Sequence, residues 1–237
     1  MEKGRQVKRF YKTAGAIEVT GGWGVGLDGR MVKTVGGQPQ TVPTQALAQE
    51  LAQEWAQQGE EIDASAFLYR DMTDYALDVV AKAPTDAMRA ILPYGQTDTL
   101  CYRADPEDAL FARQNEVWEP VLAQAEARYG MRFERISGII HRPQPEETLA
   151  RAEDLLAGKD AFTLAALVNL SSLAASLVVA LLALEPEADL EALWAAASLE
   201  ESWQADLWGK DWEAEERREK RRAAFMAAAR FARLAQG

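Results

Sequence analysis

The 237-residue chain contains one cysteine, Cys101, and one histidine, His141. A lone cysteine excludes an internal disulfide and suits a reducing compartment. Cys101 lies in an apolar run and reads as a small buried hydrophobe. A lone histidine beside Arg142-Pro143 argues against a zinc site, which needs further ligands at fixed spacing. It also argues against a Ser-His-Asp triad, because no nucleophile-elbow pattern exists to meet it. There is no phosphate-binding loop, internal repeat or long low-complexity linker. No metal, cofactor or nucleotide turnover is therefore expected. Cations are scarce as well: 26 Lys and Arg face 37 Asp and Glu, for a net charge of −11. A chain this acidic repels nucleic acid and anionic lipid, so neither is an expected partner. The first residues, MEKGRQVKRFYK, are basic without an apolar stretch, so no secretory signal is read there. A bacterial cytoplasmic protein is the expectation, with a processed mitochondrial matrix form left open.

Long hydrophobic runs are limited to one. Ala161 to Leu184 carries no charge and has the length of a membrane span. Its polar residues (Thr163, Asn169, Ser171, Ser172, Ser176) and acidic flanks (Asp160, Glu185, Glu187) argue instead for one long, largely buried helix. No stable membrane insertion is expected.

Hydrophobic residues make up 48% of the chain, enough for a sizeable core. The first forty residues read as strands over Ala16–Thr20, Trp23–Leu27 and Met31–Val35. Asp28-Gly29 marks a hairpin tip, and Gly36-Gly37 closes the next strand. Gly24 to Gly29 matches the letters GxGxxG, but a strand follows it where a dinucleotide site needs a helix. Helices are expected after Pro43. The first is capped by Thr44, buries Leu47, Leu51 and Trp55, and ends at Gly59. A second amphipathic helix spans Phe67 to Val80 and a third spans Thr85 to Tyr94. Thr97–Arg103 reads as extended. A helix capped by Asp105 with Pro106 at its first position runs to Gly130, and Met131–Ile136 reads as a strand or extended link. Further helices are expected over Glu146–Ala157, Asp160–Leu184, Asp189–Leu207 and Asp211–Ala235. In the last, acids lead and bases follow, which suits the helix dipole and pairs Glu213 with Arg217 and Glu216 with Lys220. The fold class is α+β: a small β-rich domain with one helix over residues 1–62, then a larger helical domain over 63–237.

Tryptophan is concentrated near the end of the chain. Trp203, Trp208 and Trp212 stand among Glu200, Glu201, Asp206, Asp211, Glu213, Glu215 and Glu216. Indoles are enriched where proteins grip one another, and this cluster has no nucleophile beside it. Each indole has an alternative place in the core. Glu201 and Gln204 share a helix face, Trp208 lies one turn on, Gly209 ends the helix and Asp211 caps the next. Glu201, Gln204, Trp208, Asp211 and Glu213 are the candidate partner-binding residues.

Several ordered strings resemble one family: the assembly chaperones that act on the alpha subunit of the F-type ATP synthase catalytic head. They are Gly22 to Arg30 with Lys33-Thr34; Pro43-Thr44, Leu47-Ala48, Glu54-Trp55 and Gln58 to Glu60; Thr97 to Ala104; Arg113-Gln114, Trp118 and Pro120; Gly138-Ile139 and Gln144-Pro145; and Leu199 to Glu201, Gln204, Trp208-Gly209, Asp211, Glu213-Ala214 and Arg217-Arg218. The chain departs from the family pattern at Val35 (usually proline), Asp74-Tyr75 (Asn-Thr), Ala175 (glycine) and Asp206 (glutamate). The resemblance implies a β-rich N-terminal and a helical C-terminal domain, no catalysis or ATP use, and a protein that holds the free alpha subunit until the beta subunit replaces it; a monomer is expected. Two other readings remain at this stage: a small hydrolase or transferase using Glu201 and Asp211, and a membrane-anchored adaptor.

Overall fold

The computed structural model describes residues 7–138, 142–209 and 211–237. The lone histidine therefore lies outside the described residues. Short runs of β-formers separated by glycine fold as a meander. Strand β1 (Ala14–Val19) pairs antiparallel with β2 (Gly22–Leu27), which pairs with the two-residue β3 (Arg30–Met31). Asp28 and Gly29 both take positive φ, +49° and +80°, as the tight turn between β2 and β3 requires. The Asp28 carboxylate accepts the backbone N–H of Thr13 at 2.8 Å and that of Lys12 at 3.1 Å. These bonds hold its pKa below the usual carboxylate range. The GxGxxG letters thus sit on a hairpin.

The third expected strand is shorter than Met31–Val35. Lys33 keeps a single bridge to Pro39, because the chain turns at once, with Thr34 N–H bonding the Gln38 carbonyl at 2.8 Å. Two carboxylates clamp this turn. Asp78 accepts from Gly36 N–H at 2.7 Å, Thr34 Oγ1 at 2.9 Å and Gln38 Nε2 at 2.9 Å. Asp74 accepts from Val35 N–H at 3.2 Å and Gln40 Nε2 at 2.6 Å. A Cβ on Gly36 would lie 2.5 Å from an Asp78 oxygen, so any larger residue would push the Asp78 carboxylate away and break this clamp.

Helix α1 (Gln45–Ala56) starts at Thr44, whose hydroxyl accepts Leu47 N–H at 3.1 Å, and it buries Leu47, Leu51 and Trp55 against the sheet. It ends with Gln57 in a right-handed conformation; Gly59 is not its left-handed cap. The second helix differs more. Helix α2 (Leu68–Tyr75) continues as a π-turn over Ala76–Val80, and its first turn is capped from outside. Glu54 of α1 accepts Tyr69 N–H at 2.7 Å and Arg70 N–H at 2.9 Å. Leu68 and Val79, expected on the buried face, stay partly exposed.

Helices α3 (Pro84–Ile91) and α4 (Pro93–Gln96) follow. Within Thr97–Arg103 only Tyr102–Arg103 is a strand, β4, after a 3₁₀ turn at Thr99–Cys101. It pairs in parallel with β5 (Ile136–Ser137), the one ladder among the described residues of the helical portion. Asp105 caps a turn, accepting Glu107 N–H at 3.1 Å, and does not start the helix. Asp108 caps α5 (Ala109–Tyr129), which ends at left-handed Gly130. Helix α6 (Glu146–Ala157) lies where expected.

The long apolar run is two helices, α7 (Ala161–Ala174) and α8 (Leu177–Ala183). The break has a tertiary cause. Ala175 is left-handed at φ +48°, and Ser176 becomes the N-cap of α8. The fully buried Asp98 accepts from Ser176 Oγ and from Val178 N–H, each at 2.9 Å. Both helices are buried along most of their length, and no helix among the described residues is long and apolar enough to cross a membrane. Asp189–Leu207 is likewise two helices, α9 (Leu190–Ala197) and α10 (Leu199–Trp208), divided at Ser198. Helix α11 (Trp212–Gln236) packs along α7 and inserts Phe225 and Phe231 into the core. Trp118 of α5 is fully buried, and its indole N–H bonds the Ala196 carbonyl at 2.8 Å. A β-rich start followed by a mainly helical remainder is the α+β architecture.

Candidate functional site

The corner between α10 and α11 forms as its residues dictate. Gly209 ends α10 at φ +92°, which favours glycine. The Asp211 carboxylate accepts Glu213 N–H at 3.1 Å and so starts α11. The corner encloses a groove of about 570 Å³. Glu201, Gln204, Trp208 and Asp211 line it together. Glu213 stands beside it on the first turn of α11 and pairs with Arg217 at 3.7 Å.

The indoles divide. Trp208 is 82% exposed, Trp212 72% and Leu207 60%, whereas Trp203 is half-buried. Trp118 and Trp194 are the indoles held in the core of the helical portion. Two indoles and a leucine within six residues of one corner therefore present large apolar side chains to water.

The groove is not simply acidic. Arg217, Arg218 and Arg221 of α11 form its second wall. Glu201 pairs with Arg221 at 2.7 Å. Arg221 also bonds the Leu173 carbonyl at 2.9 Å and lies over the Trp194 ring at 5.6 Å. Arg218 donates to Ser202 Oγ at 2.6 Å. From sequence these arginines read as complements to the helix dipole, with Arg217 also the partner of Glu213. Their spacing of three to four residues is the signal that they share a face with the groove. Glu200 serves the fold instead. It accepts from Gln114 Nε2 at 2.7 Å, while Gln114 Oε1 accepts Ala104 N–H at 2.8 Å. It ties α10 to α5. The arrangement can bind a polar or charged segment with an apolar anchor. Its two candidate acid–base groups are both engaged, Glu201 by a guanidinium and Asp211 by the helix start.

Comparison with known proteins agrees with this architecture. The ATP12 chaperone protein family profile matches residues 8–126. The crystal structure of Atp12 from Paracoccus denitrificans aligns at 34% identity and a TM-score of 0.89, covering 96% of this chain and 98% of that one. An aspartate-to-lysine mutant of the same P. denitrificans protein aligns equally well. A protein from Agrobacterium tumefaciens, assigned as a chaperone, aligns at 37% identity and a TM-score of 0.91, covering 98% of this chain and 87% of that one. With a family profile over half the sequence and near-complete structural superposition, the chain belongs to the ATP12 chaperone family.

Proposed function

We propose that the protein is an ATP-independent chaperone of F-type ATP synthase assembly. In this reading it binds the free alpha subunit in the bacterial cytoplasm and keeps it from aggregating until the beta subunit takes its place. The observation that carries the reading is the exposure of Leu207, Trp208 and Trp212 at the corner that holds the polar α10–α11 groove. A subunit of an alternating ring, while unassembled, exposes a large and partly apolar interface. Indoles give anchoring area on such a face, and flanking charges set register and partner choice. Binding needs only to be weaker than that of the final neighbour, so that assembly displaces the chaperone.

Glu201, Gln204, Trp208, Asp211 and Glu213 are the proposed contact residues. No catalytic role is assigned to Glu201 or Asp211, because each already has a partner in the fold. The test is light scattering of purified alpha subunit with and without the protein, followed by addition of beta subunit. Suppressed scattering that the beta subunit then relieves by displacement is the expected result. Unchanged scattering at stoichiometric excess would reject the reading.

A further inference from the structure

A second groove, between the N-terminal meander and α1, differs in charge from the rest of the molecule. It encloses about 580 Å³, with Tyr11 and Trp55 among its lining and Phe10, Arg30, Lys33 and Arg70 around them. From Val7 to Val42 the chain has five cations and two carboxylates, although the whole carries −11. Arg30 and Lys33 form no ion pair among the described residues. The Arg70 guanidinium lies over the rings of Trp55 at 5.6 Å and Phe67 at 5.0 Å, and Arg9 lies over Tyr11 at 4.6 Å. Arg70 approaches Asp74 at 3.7 Å and Asp71 at 3.9 Å, both beyond hydrogen-bond distance. The groove's own carboxylate, Asp28, is already occupied by Lys12 and Thr13.

Two further observations point to a missing ligand. Phe10 is 68% exposed at the groove. The Trp55 indole N–H and the Arg70 Nε are buried without a hydrogen-bond partner, an arrangement that costs free energy unless a ligand supplies the acceptor.

We propose that this groove seats an extended acidic segment of the client polypeptide. A carboxylate side chain meets Arg30 and Lys33, and a neighbouring apolar side chain packs between Phe10 and Trp55. The proposal rests on the client-holding reading above and extends it. Charge complementarity selects the occupant. Nucleic acid would carry its charge along the whole acidic surface, whereas a short acidic segment of a polypeptide places its charge only at Arg30 and Lys33. A bilayer is flat, whereas this site is a concave groove with Tyr11, Trp55 and Arg70 in its lining. Paired with the α10–α11 corner, the groove gives the protein two grips of different charge preference, which together fix the orientation of a client.

The experiment places the photo-cross-linker p-benzoylphenylalanine at position 10 in one protein and at position 208 in another. Each is irradiated with purified alpha subunit. Affinity is measured in parallel for wild type and for Arg30→Gln/Lys33→Gln at rising salt, with thermal melts of each. Cross-links to the alpha subunit from both positions are expected, the one from position 10 falling in a segment that contains Asp or Glu. The double variant should bind about tenfold more weakly, lose much of its salt dependence and keep its melting temperature. If the double variant melts early, Lys33→Gln alone serves, with a smaller loss of the same kind. A cross-link from position 208 alone, with unchanged affinity of the variant, would overturn the groove and leave the client reading intact. No cross-link from either position would sink both. A homodimer cross-linked through position 10 would assign the groove to a second copy. Flotation with phosphatidylglycerol vesicles that the double variant abolishes, with alpha-subunit binding unaffected, would assign it to a membrane surface. Either of these two results overturns the proposal.

Discussion

Ala175 holds a left-handed backbone, at φ +48° and ψ +35°, where its Cβ crowds the following carbonyl. Glycine is the residue that the sequence resemblance leads one to expect at this place. Ala175→Gly relieves the strain, while glycine's extra freedom in the unfolded chain offsets part of the gain. The variant should be more stable by about 1 kcal/mol, read as a shift in denaturation midpoint at unchanged slope. A loss of stability would show that the left-handed conformation is not held in solution. The conformation is enforced by Asp98, which lies far earlier in the chain. Burial pushes the Asp98 carboxyl up to about 6, against the opposing effect of donors from Val178, Ser176 and Leu100. Its folded pKa thus lies above its unfolded one. The folded state binds the proton more tightly, so this group favours folding most fully below about pH 4 and progressively less up to about pH 6. The difference amounts to about 3 kcal/mol at roughly 1.36 kcal/mol per pH unit. Carbon-detected NMR of the Asp98 carboxyl should titrate with a midpoint near 6. A midpoint below the ordinary carboxyl value would mean that the donors outweigh burial. Asp98→Asn should remove this part of the pH dependence.

At the level of elements, the ends of α10 and α11 set the candidate site. Trp208→Ala removes an indole that is largely in water, so the fold should hold to within roughly 0.5 kcal/mol. Binding to alpha subunit should weaken by about 2 kcal/mol or more if Trp208 is an anchor. Titration calorimetry with thermal melts separates the two effects. Unchanged affinity would remove Trp208 from the interface. Glu201→Lys is less clean, because it places a second cation against Arg221, which itself holds the Leu173 carbonyl. Glu201→Gln is the better probe of that position.

Local signals carry the corner and the hairpin. Asp211, Gly209 and the pairs Glu213–Arg217 and Glu216–Lys220 depend on neighbours within four residues, and all are legible in the sequence. So is the turn at Asp28-Gly29. The helix break at Ala175 is not, because alanine is the best helix former and the agent of the break is a distant carboxylate. The start of α2 is obscured for the same reason, since its capping group, Glu54, lies on another helix. The arginine wall of the groove is visible as spacing, but a basic run that follows an acidic first turn reads first as a complement to the helix dipole, although Arg217 to Arg222 lie in the first half of α11.

For the whole molecule, we propose that the β-rich unit ends near Ile62 and the helical unit starts near Asp63. Two observations support this division. Val7–Arg9 closes on Glu60–Ile62, with Arg9 N–H to the Glu60 carbonyl and Ile62 N–H to the Val7 carbonyl, each at 2.8 Å. Asp63 to Ala66 is exposed. Bonds nevertheless cross the division, from Asp74 and Asp78 to the Thr34–Gln40 turn and from Thr44 Oγ1 to the Leu234 carbonyl at 2.5 Å. Limited thermolysin digestion should nick between Asp63 and Phe67 and leave two fragments that co-elute. Fragments that separate on a sizing column would show the crossing contacts to be weak, and first cleavage elsewhere would move the boundary.

The central claim is that an exposed aromatic corner holds an assembly intermediate. The most direct measurement is displacement. Purified alpha subunit is bound to this protein, labelled at the exposed Asp206→Cys with an environment-sensitive dye so that Trp208 is kept, and beta subunit is added without ATP. The account predicts a dye signal on binding of the alpha subunit and its loss as beta subunit forms the alpha–beta pair. A signal that persists in the presence of assembled alpha–beta pairs, or no signal at any concentration of alpha subunit, would contradict it.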